Sequence, residues 1–326
     1  MPAAVDAGVA SSPEPNHSCG HDVKMVPATR SVSIPQDYAY HPNVWSNLSS
    51  KVWRSERTKE IVLEWDEAIL GHQKEDERLA EIATFAIQKT QHWFAKEETT
   101  SSMFRILDLS SSMRSFMDHC RSNLTNIRSY KLKLTAMHGS NATRCPLWHA
   151  DNVPLRWIQS YTGPGCVFLN EDETNDVYDP YNYDPYLQRV RETNHDQEAK
   201  VYGPKWKQKL VEMSGIPISQ SPTGEPAMLV GRMWSAWSQQ RDAPIEGPMS
   251  GVLHRSPHDV PGNQERILLN LDVLCAYDYD ENEAGEEKGG HHHDHDHSNC
   301  DCACQQKPPT ANRSVTDQEN WKFGRQ

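Results

Sequence analysis

With 326 residues, 36% of them hydrophobic and a formal net charge of −12, the chain is long enough for one large domain or two small ones, but part of it is too polar to pack. The acidic balance and the lack of any Lys/Arg stripe speak against a nucleic-acid partner, because phosphate binding needs clustered basic groups. No apolar run approaches the roughly 18 residues of a membrane helix, and the first residues carry no secretory pattern, so an intracellular, cytoplasmic setting with reduced thiols is expected.

Residues 1–40, rich in Pro, Ser and Ala, read as a disordered arm in which Cys19, His21 and Asp22 are too isolated to count as a site. Helices are expected over 50–128. Between Val52 and Phe94, Ile61, Trp65, Ile69, Leu79, Ile82, Phe85, Ala86 and Trp93 recur at three- and four-residue steps. A second helix is expected from Met113 to Ile127, with Ser110 to Ser112 as caps.

The texture then changes to a β-core over 129–279. In "YKLKLTAM", Leu132, Leu134 and Ala136 alternate with Lys131, Lys133 and Thr135, the pattern of a half-buried strand. "VPLRWIQSYTG", closed by a turn at Gly163 to Gly165, and "CVFL" follow. A polar, Tyr- and Asp-rich insertion spans 171–225, after which "AMLVGRMWSAW", "SGVLHRSP" and "ERILLNLDVLCAY" resume the strands. Helices first and short strands afterwards predict an α+β protein, a single domain over 41–279, with N-terminal helices packed on a double-stranded β-helix (jelly-roll or cupin-like) core. Cys120, Cys145, Cys166 and Cys275, like Trp148, Trp157, Trp234 and Trp237, are expected to be core residues.

Within the strands, His149 and Asp151 flank Ala150, and residues two apart on a strand face the same way. His254 ends the apolar run "GVLH", and Arg266 opens the last strand. Two imidazoles and one carboxylate leave three coordination positions open, the arrangement of a non-haem iron(II) centre, whereas a structural zinc site closes around four ligands. The planar fork of Arg266 suits a carboxylate cosubstrate. Arg255 is the other clamp candidate, although as the strand neighbour of His254 it should face away. The plainer alternative is that these are polar residues closing one end of a barrel. The metal reading requires the ring of His254 to lie within about 8 Å of the 149/151 pair, since ligand bonds are near 2 Å.

The stretches "CPLWHADNVPLRWIQSYTGPG" and "GVLHRSPHDVPGNQERILLNLD" resemble the family known as domain of unknown function 1826, over a core of about residues 100–275. That resemblance implies a link to zinc-limitation responses. More distantly, the His-x-Asp…His…Arg order is similar to that of the iron(II)/2-oxoglutarate dioxygenases. It implies His149, Asp151 and His254 as ligands and Arg266 as the 2-oxoglutarate clamp, across a turn one or two residues longer than theirs.

Residues 280–326 read as an acidic linker and a disordered tail containing "HHHDHDHSNCDCAC". Its His291, His292, His293, His295 and His297, with Cys300, Cys302 and Cys304, offer donors favoured by Zn(II), Cu(I) or Ni(II). Cys-x-Cys-x-Cys lacks the separations of a zinc finger, so the run reads as a metal buffer. Three functions stay open. The first is an Fe(II)/2-oxoglutarate enzyme acting on a small-molecule or protein substrate. The second is a non-enzymatic zinc-homeostasis protein. The third is a metal-free module whose Asp176–Tyr186 stretch recognises a partner.

Overall fold

The computed structural model describes residues 32–33, 35–46, 48–49, 52, 58–70, 74–95, 99–138, 145–170, 185–192, 205–237, 251–258, 260, 264–275 and 317–323. The expected helical run gives way early, to strand β2 (Lys59–Asp66). Ile61 and Trp65 lie four apart, which fits a helix, but Ile61, Leu63 and Trp65 also alternate with Glu60, Val62 and Glu64, which fits a strand. Pairing along the whole of β3 (Ile127–His138) decides between the two periods.

Helix α1 follows at Glu75–Thr90, and α2 runs over Thr99–Asn123, starting well before the expected Met113 and stopping before Ile127. Ser110 and Ser112 are therefore interior to α2 and cap nothing. The Ser110 hydroxyl donates back to the Ile106 carbonyl, and that of Ser112 reaches Gln159 Oε1.

Strand β4 (Leu155–Thr162) and strand β5 (Val167–Leu169) lie where expected. Within the described part of the insertion are helices α3 (Pro185–Glu192) and α4 (Trp206–Ser214) and strand β6 (Ile218–Gln220). "AMLVGRMWSAW" is not one strand. β7 (Pro226–Val230) ends at Gly231, and a short helix α5 (Trp234–Trp237) takes over. "SGVLHRSP" contributes only β8 (His254–Arg255), while β9 (Glu265–Cys275) is long. Two further strands, β1 (Val32–Ser33) and β10 (Asp317–Phe323), sit at the edges.

The order of the large sheet is β1-β7-β4-β9-β3-β2-β10, antiparallel throughout except that β10 runs parallel to β2. The small sheet is β6-β5-β8, extended by an isolated bridge from His254 to His149. Mixed helix and antiparallel strand content is thus as expected, and both sheets are open.

Alternation assigns the faces of the large sheet. Ile61, Leu63, Trp65, Leu132, Leu134, Ile267, Leu269, Leu271 and Val273 form one buried cluster with Ile82, Ala86, Leu109, Met113 and Phe116 of the helices. Burying each large side chain there contributes roughly 1.5–3 kcal/mol. The opposite face of β9 carries Arg266, Leu268, Asn270 and Asp272. A second, smaller cluster joins Trp148, Val167, Leu169 and Leu253 to Leu187, Val190 and Val211, so the insertion helices cover the outer face of the small sheet.

Trp148, Trp157, Trp234 and Trp237 are all buried, as are Cys120 and Cys166, while Cys145 and Cys275 are half-buried; none of these four cysteines is in a disulfide. Residues 35–40 lie against α2 and β4. The Ala39 amide donates to Ser111 Oγ, and the Tyr40 hydroxyl donates to the Tyr161 carbonyl. Among the described residues no helix is long and apolar enough to cross a membrane. The expectations for Cys19, His21 and Asp22, for residues 176–184 and for the His/Cys run lie outside the described residues.

Candidate metal centre

The antiparallel bridge between residues 149 and 254 sets the geometry. The His149 amide donates to the His254 carbonyl at 3.1 Å and the His254 amide to the His149 carbonyl at 2.9 Å. Directly opposed residues of such a pair share a face, and here the two ring centroids lie 4.4 Å apart, well inside the limit of about 8 Å. Alternation then sends Trp148 and Ala150 outward to the insertion helices and keeps Asp151 beside the rings. Asp151 Oδ2 is 3.0 Å from His254 Nε2, and Oδ1 is 3.7 Å from His149 Nε2. The three side chains offer one donor atom each, all within 4.8 Å of one another, a group that could hold a metal ion.

The protonation pattern suits a cation. His149 Nδ1 lies 2.9 Å from the Leu147 carbonyl and His254 Nδ1 lies 3.1 Å from the Val252 carbonyl. A proton on each Nδ1 satisfies those carbonyls and leaves both Nε2 lone pairs aimed at the centre. Burial, then the neighbouring ring of His254, pushes the His149 imidazole down to about 3, so it is neutral at ordinary pH. Burial alone would raise the Asp151 carboxyl, but Arg156 and both imidazoles outweigh it and hold the group well below the usual carboxylate range.

Asp151 Oδ2 is buried and, among the described residues, accepts no hydrogen bond of good geometry. It faces His254 Nε2 at 3.0 Å, so with that ring's proton on Nδ1 two acceptors stand together and need a cation between them. Ligand bonds near 2.1 Å meeting at right angles put donor atoms about 3.0 Å apart, which is the spacing this pair has.

Two residues that sequence reasoning missed brace the carboxylate. Arg156 Nη1 lies 2.6 Å from Asp151 Oδ1, while its Nε and Nη2 bind Asp272 Oδ1 and Oδ2 at 2.5 and 2.8 Å. Arg156 and Asp272 are register partners across β4 and β9. The available signal was an Arg between Leu155 and Trp157 and an Asp between Leu271 and Val273, since such charges are rarely buried unless paired.

The loop after Asp151 is pinned as well. The Arg232 amide donates to the Asp151 carbonyl at 2.8 Å and the Gly231 amide to the Pro154 carbonyl at 3.0 Å. A Cβ on Gly231 would fall 1.8 Å from the Val153 carbonyl oxygen, so only glycine permits this approach.

Arg266 is fully buried at the start of β9, on the face that also carries Asp272, with Nε donating to the Pro164 carbonyl at 2.9 Å. Burial pulls its guanidinium down to about 10. Burial likewise pushes the thiol of Cys166 up to about 12. Arg255 points the other way, as alternation demands. Its guanidinium lies 5.1 Å from the centroid of the Trp148 ring and donates to the Ser256 carbonyl. It does not face the donor triad.

No curated protein matches the chain. A family model matches residues 46–272, well over half of the chain and a span that contains all three donor residues, Arg156 and Asp272. The chain belongs to the DUF1826 family, proteins of unknown function.

Proposed function

We propose that this protein works through one divalent transition-metal ion held by His149, Asp151 and His254, and that its activity is that of an iron(II)-dependent, 2-oxoglutarate-type oxygenase. The observation that carries the reading is the buried donor group itself, two imidazole nitrogens and one carboxylate oxygen with no fourth protein ligand among the described residues. Bound there, iron(II) would supply three coordination positions for small ligands, the requirement of oxygen-activating chemistry. Arg266, on the face of β9 that braces the site, is the proposed carboxylate anchor.

The winding of the chain supports a jelly-roll reading of the core. β3, β4, β7 and β9 lie in the large sheet, while residue 149, β5, β6 and β8 lie in the small one, so the chain passes repeatedly from one sheet to the other. The interior between them is where such folds seat their ligands.

The test is an anaerobic iron(II) titration followed by a 2-oxoglutarate turnover assay. Succinate formation dependent on iron(II) and on oxygen, absent from His149→Ala, is the expected result. No succinate above the His149→Ala background removes the enzymatic claim.

The density of imidazole and thiol donors in residues 291–304 favours a second reading, in which the centre holds Zn(II) and the run buffers or loads it. Elemental analysis of untagged protein, with and without that run, separates the two readings.

A further inference from the structure

We infer that Arg156 is a positioning residue that restricts Asp151 to binding metal through a single oxygen. The inference rests on the metal reading above. The guanidinium is planar and its donors are fixed relative to one another. Its Nε/Nη2 edge is spent on both oxygens of Asp272, a bidentate pair between register partners of β4 and β9. That pair fixes the plane of the guanidinium, and the plane in turn directs Nη1 at Asp151 Oδ1, 2.6 Å away.

The two oxygens of Asp151 thereby acquire different roles. Oδ1 is held by a charge-assisted hydrogen bond and Oδ2 is turned to the imidazoles, 3.0 Å from His254 Nε2. A carboxylate released from Arg156 could turn and chelate with both oxygens, which would fill one of the three positions a two-imidazole, one-carboxylate centre leaves open. Asp272 and Arg156 together add no net charge. Their contribution is orientation, made from two strands that carry none of the three metal donors.

The test uses the full-length protein and Co(II) as the probe, read by its d–d absorption. The signal of the centre is the part of the wild-type spectrum that His149→Ala lacks, which separates it from Co(II) held by the His/Cys run. Arg156→Gln is expected to weaken that Co(II) site by about 10- to 100-fold, the usual cost of losing a group that orients a metal ligand, and to shift its absorption as the carboxylate changes binding mode. Arg156→Lys keeps the charge but not the fork and is not expected to restore the wild-type spectrum. Asp272→Asn loosens the arginine and is expected to shift absorption and affinity in the same direction. It decides the matter if Arg156→Gln does not fold. A merely structural role for Arg156 would lower the melting temperature and leave the Co(II) spectrum alone. Unchanged spectra and affinities in the folded variants overturn the proposal and leave the metal centre standing. No difference between wild type and His149→Ala overturns the metal reading, and this proposal with it.

Discussion

His149→Ala is expected to cost at least about 100-fold in affinity for a divalent transition metal at the central site, because substituting even the outer partners of metal ligands costs 10- to 100-fold. The side chain contributes one of three donors, and its ring is spanned by few other duties. Its Nδ1 serves the Leu147 carbonyl, and its backbone bridge to His254 survives the substitution. The metal-free variant should fold as the parent does. Thermal unfolding makes the contrast visible. At a free metal concentration 100 times Kd, binding adds about 2.7 kcal/mol to the parent, a gain the variant lacks at the same concentration. A variant that keeps affinity within tenfold of the parent would place the metal elsewhere.

Gly231→Ala is expected to destabilise the protein and disrupt the centre, although it removes none of the donors. The added Cβ would lie 1.8 Å from the Val153 oxygen, 2.9 Å from the Val153 carbonyl carbon and 3.1 Å from the Asp151 oxygen, all of them backbone atoms that cannot rotate aside. Relief requires the 151–154 loop to lift off β7. That motion would strain the hydrogen bonds from Gly231 and Arg232 that hold the loop and carry Asp151 away from the rings. Overpacking of this kind costs about 1–3 kcal/mol, and the loss of buried backbone hydrogen bonds adds to it. Chemical denaturation should therefore show a lower midpoint, and metal titration should show the site lost in the molecules that still fold. A folded variant with parental metal affinity would mean the loop has another way to close.

Much of the β-core could be read directly from the chain. β3 and β9 are long, and every second position from Tyr130 to Ala136 and from Ile267 to Val273 is apolar, so a period of two has no rival there. The donor triad was legible for the same reason. His149 and Asp151 stand two apart, the same-face spacing of extended chain, and His254 ends an apolar run.

β2 was not legible, because Ile61 and Trp65 satisfy both periods and only the register with β3 separates them. The early start of α2 was hidden by a Ser- and Thr-rich first turn and by the exposure of Met103, Phe104 and Leu107, which break the apolar stripe. Helices α3 and α4 looked like polar insertion because their buried apolar residues in the second cluster, Leu187, Val190 and Val211, are few. Arg156 and Asp272 stand 116 positions apart, and nothing in either local stretch says that β4 and β9 will pair with these two opposite each other. The site's donors are written in local pattern, whereas the support beneath them depends on sheet register, which only the folded chain reveals.

The most direct measurement is anomalous diffraction from a crystal of the full-length protein grown with iron(II) or cobalt(II) under anaerobic conditions. The prediction is one peak about 2 Å from Nε2 of both His149 and His254 and from Oδ2 of Asp151, with Oδ1 still against Arg156. Well-ordered rings with no peak between them, in a crystal whose metal sits only elsewhere, would contradict it.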